Sequence, residues 1–161
     1  VDLYIELAFR AVSYTVLGLT AEVIGAVLPI EWALGFKIKR RVPLKYLEGF
    51  VSLYMIPLHG LGVLFLYEPV RFAVADWHFV FRYLIYAGLI TSMEIAWGFA
   101  QHRVLGFFTW DYYGQSKYRI GKYGYSLWTL VFYWGLAGMV LEPVSGLLRH
   151  LSPYVSAYFL G

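Results

Sequence analysis

Four long apolar stretches constrain this chain more than any other feature. They run from about Leu7 to Leu28 with apolar continuation toward Phe36, from about Leu47 to Val70, from about Phe79 to Ala100, and from about Gly124 to Leu148. A membrane-spanning α-helix needs about 20 mostly apolar residues, and each stretch supplies them. The runs are continuous rather than alternating, which argues against β-strands. The expected fold is therefore an all-α integral membrane protein with four transmembrane helices, built from two repeated helical hairpins. It forms a single membrane domain over residues 1–161.

Charge supports this reading. Only 14% of the residues are charged, whereas a soluble domain carries about 25%. So few charges could not cover a water-soluble particle, which excludes a soluble enzyme, a disordered tail and a collagen-like fibre. Cysteine is absent, so disulfide scaffolds, thiolate metal sites and cysteine nucleophiles are excluded. No Gly-rich phosphate loop ending in Lys-Ser or Lys-Thr occurs, so the chain is not itself an ATPase. It opens at Val1 rather than Met, which suggests the ordered part of a longer product.

The basic residues orient the helices. The first connection carries Lys37, Lys39, Arg40, Arg41 and Lys45, and the third carries Arg103, Lys117, Arg119 and Lys122. The opposite side has Arg71, Arg82, Arg10 and Arg149. The positive-inside rule then places loops 37–46 and 101–123 in the cytoplasm and both termini outside. The net charge of +3 reads as topology rather than a nucleic-acid footprint, so no nucleic-acid partner is expected. Trp32, Tyr46, Trp77, Trp110, Tyr112, Tyr113 and Tyr123 fall near span ends and suit interfacial belts.

An offset of 72 residues superimposes Phe9-Arg10 on Phe81-Arg82, Tyr14 on Tyr86, Leu17 on Leu89 and Glu22-Val23 on Glu94-Ile95. At an offset of 74, Glu68-Pro69-Val70 echoes Glu142-Pro143-Val144. Arg and Glu are scarce here, so their coincidence is informative. It suggests parallel hairpin repeats over about 5–75 and about 77–150, related by an axis along the membrane normal. Arg10 and Arg82 would start their spans at the outer end, where Glu68 and Glu142 leave. Two structural ion pairs, Arg10–Glu68 and Arg82–Glu142, are expected.

Glu22 and Glu94 each lie 12 residues beyond their arginine, about 18 Å deeper at 1.5 Å per residue, near the membrane centre. A carboxylate there must be protonated, paired or hydrated. His59 lies at similar depth within Pro57-Leu58-His59-Gly60-Leu61-Gly62, where proline and glycine loosen the helix. Glu22, His59 and Glu94 are thus expected to form an intramembrane polar cluster. It would serve as packing glue, as a transport or proton relay, or as a metal or catalytic site. The paired Glu-x-x-His spacing of di-iron bundles is missing, and no metal, cofactor or catalytic group is expected.

The third connection wraps aromatics around one carboxylate, with Trp110, Asp111 and Tyr112 as its centre and Arg119 or Lys122 near enough in sequence to pair with Asp111. It reads as an interfacial loop pinned to headgroups, or as a platform for a headgroup or a partner protein.

These residues resemble a bacterial multi-pass family labelled ABC-transporter type IV, distantly similar to the transmembrane-protein-229 group. The resemblance covers roughly residues 9 to 148. It rests on Tyr14, Leu17-Gly18 and Glu22-Val23; on Gly49-Phe50 and the Pro57–Gly62 segment; on Glu94, Gly98, Trp110-Asp111-Tyr112 and Arg119-Ile120; and on Ser126-Leu127-Trp128, Gly138 and Pro143. It implies a multi-pass bundle with a transport label. Glu48, His59 and Tyr113 stand where the family has Arg, Tyr and Ser, which implies a substrate or partner unlike a typical member's.

Short loops leave little room for a private active site, and Gly18, Gly25, Gly60, Gly62, Gly88, Gly98, Gly135 and Gly138 suit helix docking. The leading expectation is a non-catalytic scaffold, assembly or accessory subunit of a larger inner-membrane complex. Its partners would be membrane lipids and other membrane subunits or further copies of itself. A small transporter using Glu22 and Glu94 is the alternative, and a lipid-modifying enzyme comes third.

Overall fold

A computed structural model describes residues 2–28, 30–39 and 43–161. Among them it is all-helical apart from one isolated antiparallel bridge, Arg119 to Leu127. Four helices are long and apolar enough to cross a membrane: α1 (Asp2–Val27), α3 (Leu53–Ala73), α4 (Phe79–Leu105) and α5 (Trp128–Leu160). A short α2 (Glu31–Leu34) lies in the first connection. Arg40 and Arg41 of the expected basic loop lie outside the described residues.

Each long helix packs on two others, in the circular order α1, α3, α4, α5 and back to α1. The first and third connections meet at one end, the loop end. There Ser116 Oγ donates to the Leu34 carbonyl at 2.5 Å and Thr129 Oγ1 to the Ala33 carbonyl at 2.5 Å. At the other, terminal end, Ser156 Oγ donates to the Asp2 carbonyl at 3.3 Å. Only 11% to 28% of the apolar window of each long helix is buried within the chain. Val12, Phe65, Leu84, Phe132 and Val140 all face outward.

The helix bounds differ from the sequence reading at specific places. α1 starts five residues earlier than expected, at Asp2, and ends before Pro29 in the sequence. The residue before a proline disfavours the helical region. α5 starts at Trp128, because residues 116–127 are held in a hairpin-like turn in which Ile120 N–H donates to Ser126 and Trp128 N–H to Tyr118. It then continues to Leu160 through Pro143 and Pro153.

α3 is the unusual element. After a 3₁₀ turn at Leu53–Met55 it winds as a π-helix over Leu58–Tyr67, then as a regular α-helix over Glu68–Ala73. Pro57, Gly60 and Gly62 loosen the wide segment at its start. Pro69, with no N–H to give, stands where α-helical bonding resumes. The winding matters for register. In an α-helix at 3.6 residues per turn, His59 and Glu68 would be about two and a half turns apart, on opposite faces. With i-to-i+5 bonding the same nine residues make about two turns, and both side chains face α1.

Small residues set the helix crossings. A Cβ at Gly18 would overlap the His59 ring, and one at Gly60 would strike Thr15 Oγ1 at 2.5 Å. Gly135 and Gly138 make the same room for Tyr83 and Tyr86 between α4 and α5. Gly138→Ala would place a methyl on the Tyr86 Cβ. Overpacking of this kind costs about 1–3 kcal/mol, and the expected result is a matching fall in unfolding free energy in mixed micelles. An unchanged value would mean that α4 and α5 are not seated through this glycine.

Candidate functional site

Two clusters of one composition sit toward the terminal end. In the first, Arg10 Nη1 donates to Glu68, and Tyr14 O–H donates to the other carboxylate oxygen at 2.5 Å. In the second, Arg82 Nη1 donates to both oxygens of Glu142 at 3.0 and 3.1 Å, and Tyr86 O–H donates to the same group. The tyrosine lies four residues after the arginine in each, which puts both on one helix face. That spacing could have identified Tyr14 and Tyr86 as members of these clusters from sequence.

The two clusters are not equally enclosed. Arg10 and Glu68 are buried, whereas the side chains of Arg82 and Glu142 are 24% and 13% exposed. Arg10 also lies eight residues inside α1 rather than at its end, because α1 begins at Asp2. Tyr67 joins the two clusters. It is fully buried, donates to the Gly138 carbonyl at 2.6 Å and packs its ring against Tyr86. Nothing in the sequence marks it beyond its place before Glu68.

The inner carboxylates are held by rings. His59 Nε2–H donates to Glu22 at 2.7 Å, and Trp134 Nε1–H donates to Glu94 at 2.9 Å. The offset of 74 carries His59 to Tyr133, one residue before Trp134, so each carboxylate takes an N–H from a ring at nearly the same register. The depths differ from expectation. Glu22 is five residues from the end of α1, about 8 Å from it, and its side chain is 29% exposed. Glu94 is near the middle of α4 and buried. The early start of α1 moves its midpoint toward Tyr14 and leaves Glu22 near the loop end.

The third connection closes over these groups. Tyr113 and Tyr112 lie in the field of both Glu22 and Glu94. Burial pushes the Tyr112 hydroxyl up to about 12, with the Glu22 charge adding to it. Burial, then Glu94, raises Tyr113 well above the ordinary phenol value. Both phenols therefore stay neutral donors at ordinary pH. Ser126 is fully buried beside Glu94, and its hydroxyl has no hydrogen bond of normal geometry among the described residues.

Several loop residues sit differently from the sequence reading. Trp110 does not face outward as a belt residue would. It is 5% exposed, packs with Phe108 and Met55, and donates to the Tyr125 carbonyl at 2.8 Å. A buried indole needs such a partner. Trp32, Tyr46, Trp77 and Tyr123 do face outward. Asp111 is exposed and forms no ion pair among the described residues. The 3₁₀ turn at Asp111–Gln115 directs Arg119 Nη1 to the Gly114 carbonyl at 2.8 Å instead. His102 is half-buried, with Nδ1 at 2.8 Å from the Tyr125 hydroxyl and its ring edge-on to Tyr123. In the sequence it stands just beyond the third apolar stretch, with nothing else to mark it.

Among the described residues, no three His, Cys, Asp or Glu side chains are grouped to hold a metal ion. Two apolar grooves lie on the flanks of α3. One, of about 350 Å³, is lined on α1 by Val12 and Val16 and on α3 by Pro57 and Leu61. The other, of about 290 Å³, is lined on α3 by Tyr54 and on α4 by Trp97 and Gln101. Comparison with known protein families, curated proteins and solved structures finds no match.

Proposed function

We propose that this chain is a multi-pass inner-membrane protein acting as a non-catalytic scaffold, assembly or accessory subunit. In this reading it is one membrane domain of two duplicated hairpins, with the loop end cytoplasmic and the resemblance to the ABC-transporter type IV group reflecting descent. One observation carries it. The ionisable groups inside the bundle are engaged with groups of the same chain, while the outward faces are apolar and grooved. Arg10 and Arg82 hold Glu68 and Glu142, and His59 and Trp134 hold Glu22 and Glu94. Interior polarity spent on packing, with an apolar exterior, suits a protein that docks other helices. Lipids and neighbouring subunits, or further copies, would meet that exterior.

The paired architecture supports the duplication. Arg–Tyr–Glu recurs between α1 and α3 and between α4 and α5, and each inner carboxylate receives a ring N–H from its partner helix.

A second reading is favoured by the Glu22–His59 contact, which joins two titratable groups at the loop end near Tyr112 and Tyr113. That arrangement would suit a proton-coupled transporter. Proteoliposomes carrying an internal pH indicator separate the two. On the scaffold reading, the wild type and Glu22→Gln/Glu94→Gln leak protons at the rate of protein-free vesicles. A flux present in the wild type and lost in the double variant, with insertion unchanged, would replace the scaffold reading with the transport one.

A further inference from the structure

At the terminal end, two arginines outside the Arg–Tyr–Glu clusters converge on one aromatic ring. The guanidinium carbon of Arg71 lies 4.6 Å from the Phe72 ring centroid, and that of Arg149 lies 4.3 Å from it. The triangle inequality caps their separation at about 9 Å. Arg71 comes from α3 and Arg149 from α5, so the fold brings them together rather than the sequence. Gly146 makes the space: a Cβ there would sit 3.2 Å from Arg71 Nη2. Arg149 follows three residues later on the same face of α5.

Neither arginine forms an ion pair among the described residues. Glu142, one turn before Gly146, is taken by Arg82 and Tyr86. Asp2, Glu6 and Asp76 also belong to this end, and none of them is paired with either arginine. Stacking on Phe72 therefore holds two like charges close together with no carboxylate in ion-pair contact with either. Guanidinium groups in this setting match the oxygens of a phosphate, which can bond both planar forks at once.

We infer that Arg71 and Arg149, held by Phe72, form a binding site for a phosphate group, supplied by the headgroup of an anionic phospholipid. The lipid source rests on the membrane reading above, because Arg149 is exposed and the half-exposed Phe72 lies at the end of an apolar helix, where headgroups would lie. The phosphate chemistry does not depend on that reading.

The test uses the purified full chain in detergent, with native mass spectrometry counting bound phosphatidylglycerol against phosphatidylcholine. A parallel arm follows inorganic phosphate by phosphorus NMR line width. The variants are Arg71→Gln, Arg149→Gln and the charge-keeping Arg149→Lys, each checked for an unchanged thermal midpoint. The expected result is a preference for phosphatidylglycerol that falls about five-fold for each arginine removed, with Arg149→Lys in between. If inorganic phosphate binds as tightly with the same arginine dependence, the site stands and its ligand is the free anion. If Arg149→Gln and Arg71→Gln both keep the wild-type preference and line width, the inference is overturned. Carbonate extraction of cell membranes reports separately on the membrane reading, and its failure would leave the phosphate arm intact.

Discussion

Replacing Glu68 with alanine is expected to lower the unfolding free energy by about 3–5 kcal/mol, because it strands a buried guanidinium. Arg10 and Glu68 are 7% and 4% exposed, and Tyr14 loses its acceptor as well. Water cannot reach Arg10 to replace what is lost. The equivalent Glu142→Ala should cost less, since Arg82 is 24% exposed and can be partly hydrated. The ranking is measured by reversible unfolding in mixed micelles. A double replacement, Arg10→Leu with Glu68→Leu, should recover most of the loss, because removing both charges removes the desolvation cost with the attraction. If Glu68→Ala proved as stable as the wild type, the pair would not be holding α1 to α3.

The other large effect is expected at Gly124. Its φ is +73°, where an L side chain costs about 1–2 kcal/mol. A Cβ there would also stand 2.9 Å from the Gly114 nitrogen and from the Tyr113 carbonyl carbon and oxygen. Those are backbone atoms and cannot rotate away. Gly121 is an internal control, with φ +71° and open space around the position of its missing Cβ. Gly121→Ala should cost only the left-handed penalty, and Gly124→Ala about 2–4 kcal/mol, since overpacking is added to it. The excess should be local. Faster hydrogen exchange at Ile120 and Trp128, whose N–H groups close this hairpin, would mark it, with a red-shifted emission as Trp110 is uncovered. Equal losses at the two glycines would show that the backbone contact has no consequence.

Much of the cluster chemistry was legible in the chain. Arg and Glu are rare in it, so their recurrence at a fixed offset was informative, and the structure places Arg10 on Glu68 and Arg82 on Glu142. Glu22 and His59 also meet. Glu94 was harder to read. Its donor is Trp134, and an indole in an apolar helix carries no sequence mark that separates it from a belt residue. Trp110 failed for the same reason in reverse. It has the composition of an interfacial anchor, but the hairpin after it supplies a carbonyl and buries the ring. The depth assigned to Glu22 depended on where α1 begins, and apolar composition alone defines a helix end only loosely.

The sequence by itself determined that the chain makes four long apolar helices, because apolar length and charge scarcity act locally and add along the chain. It also determined which charged residues were available as partners. Only the tertiary structure decided how one helix reaches two of them. An α-helical α3 would turn His59 and Glu68 to opposite faces. The π-helical winding over Leu58–Tyr67 turns both toward α1, where Glu22 and Arg10 wait. A hydrogen-bond register shifted by one residue has little local signature, since proline and glycine permit it without requiring it. Contacts on the neighbouring helix, distant in sequence, select it.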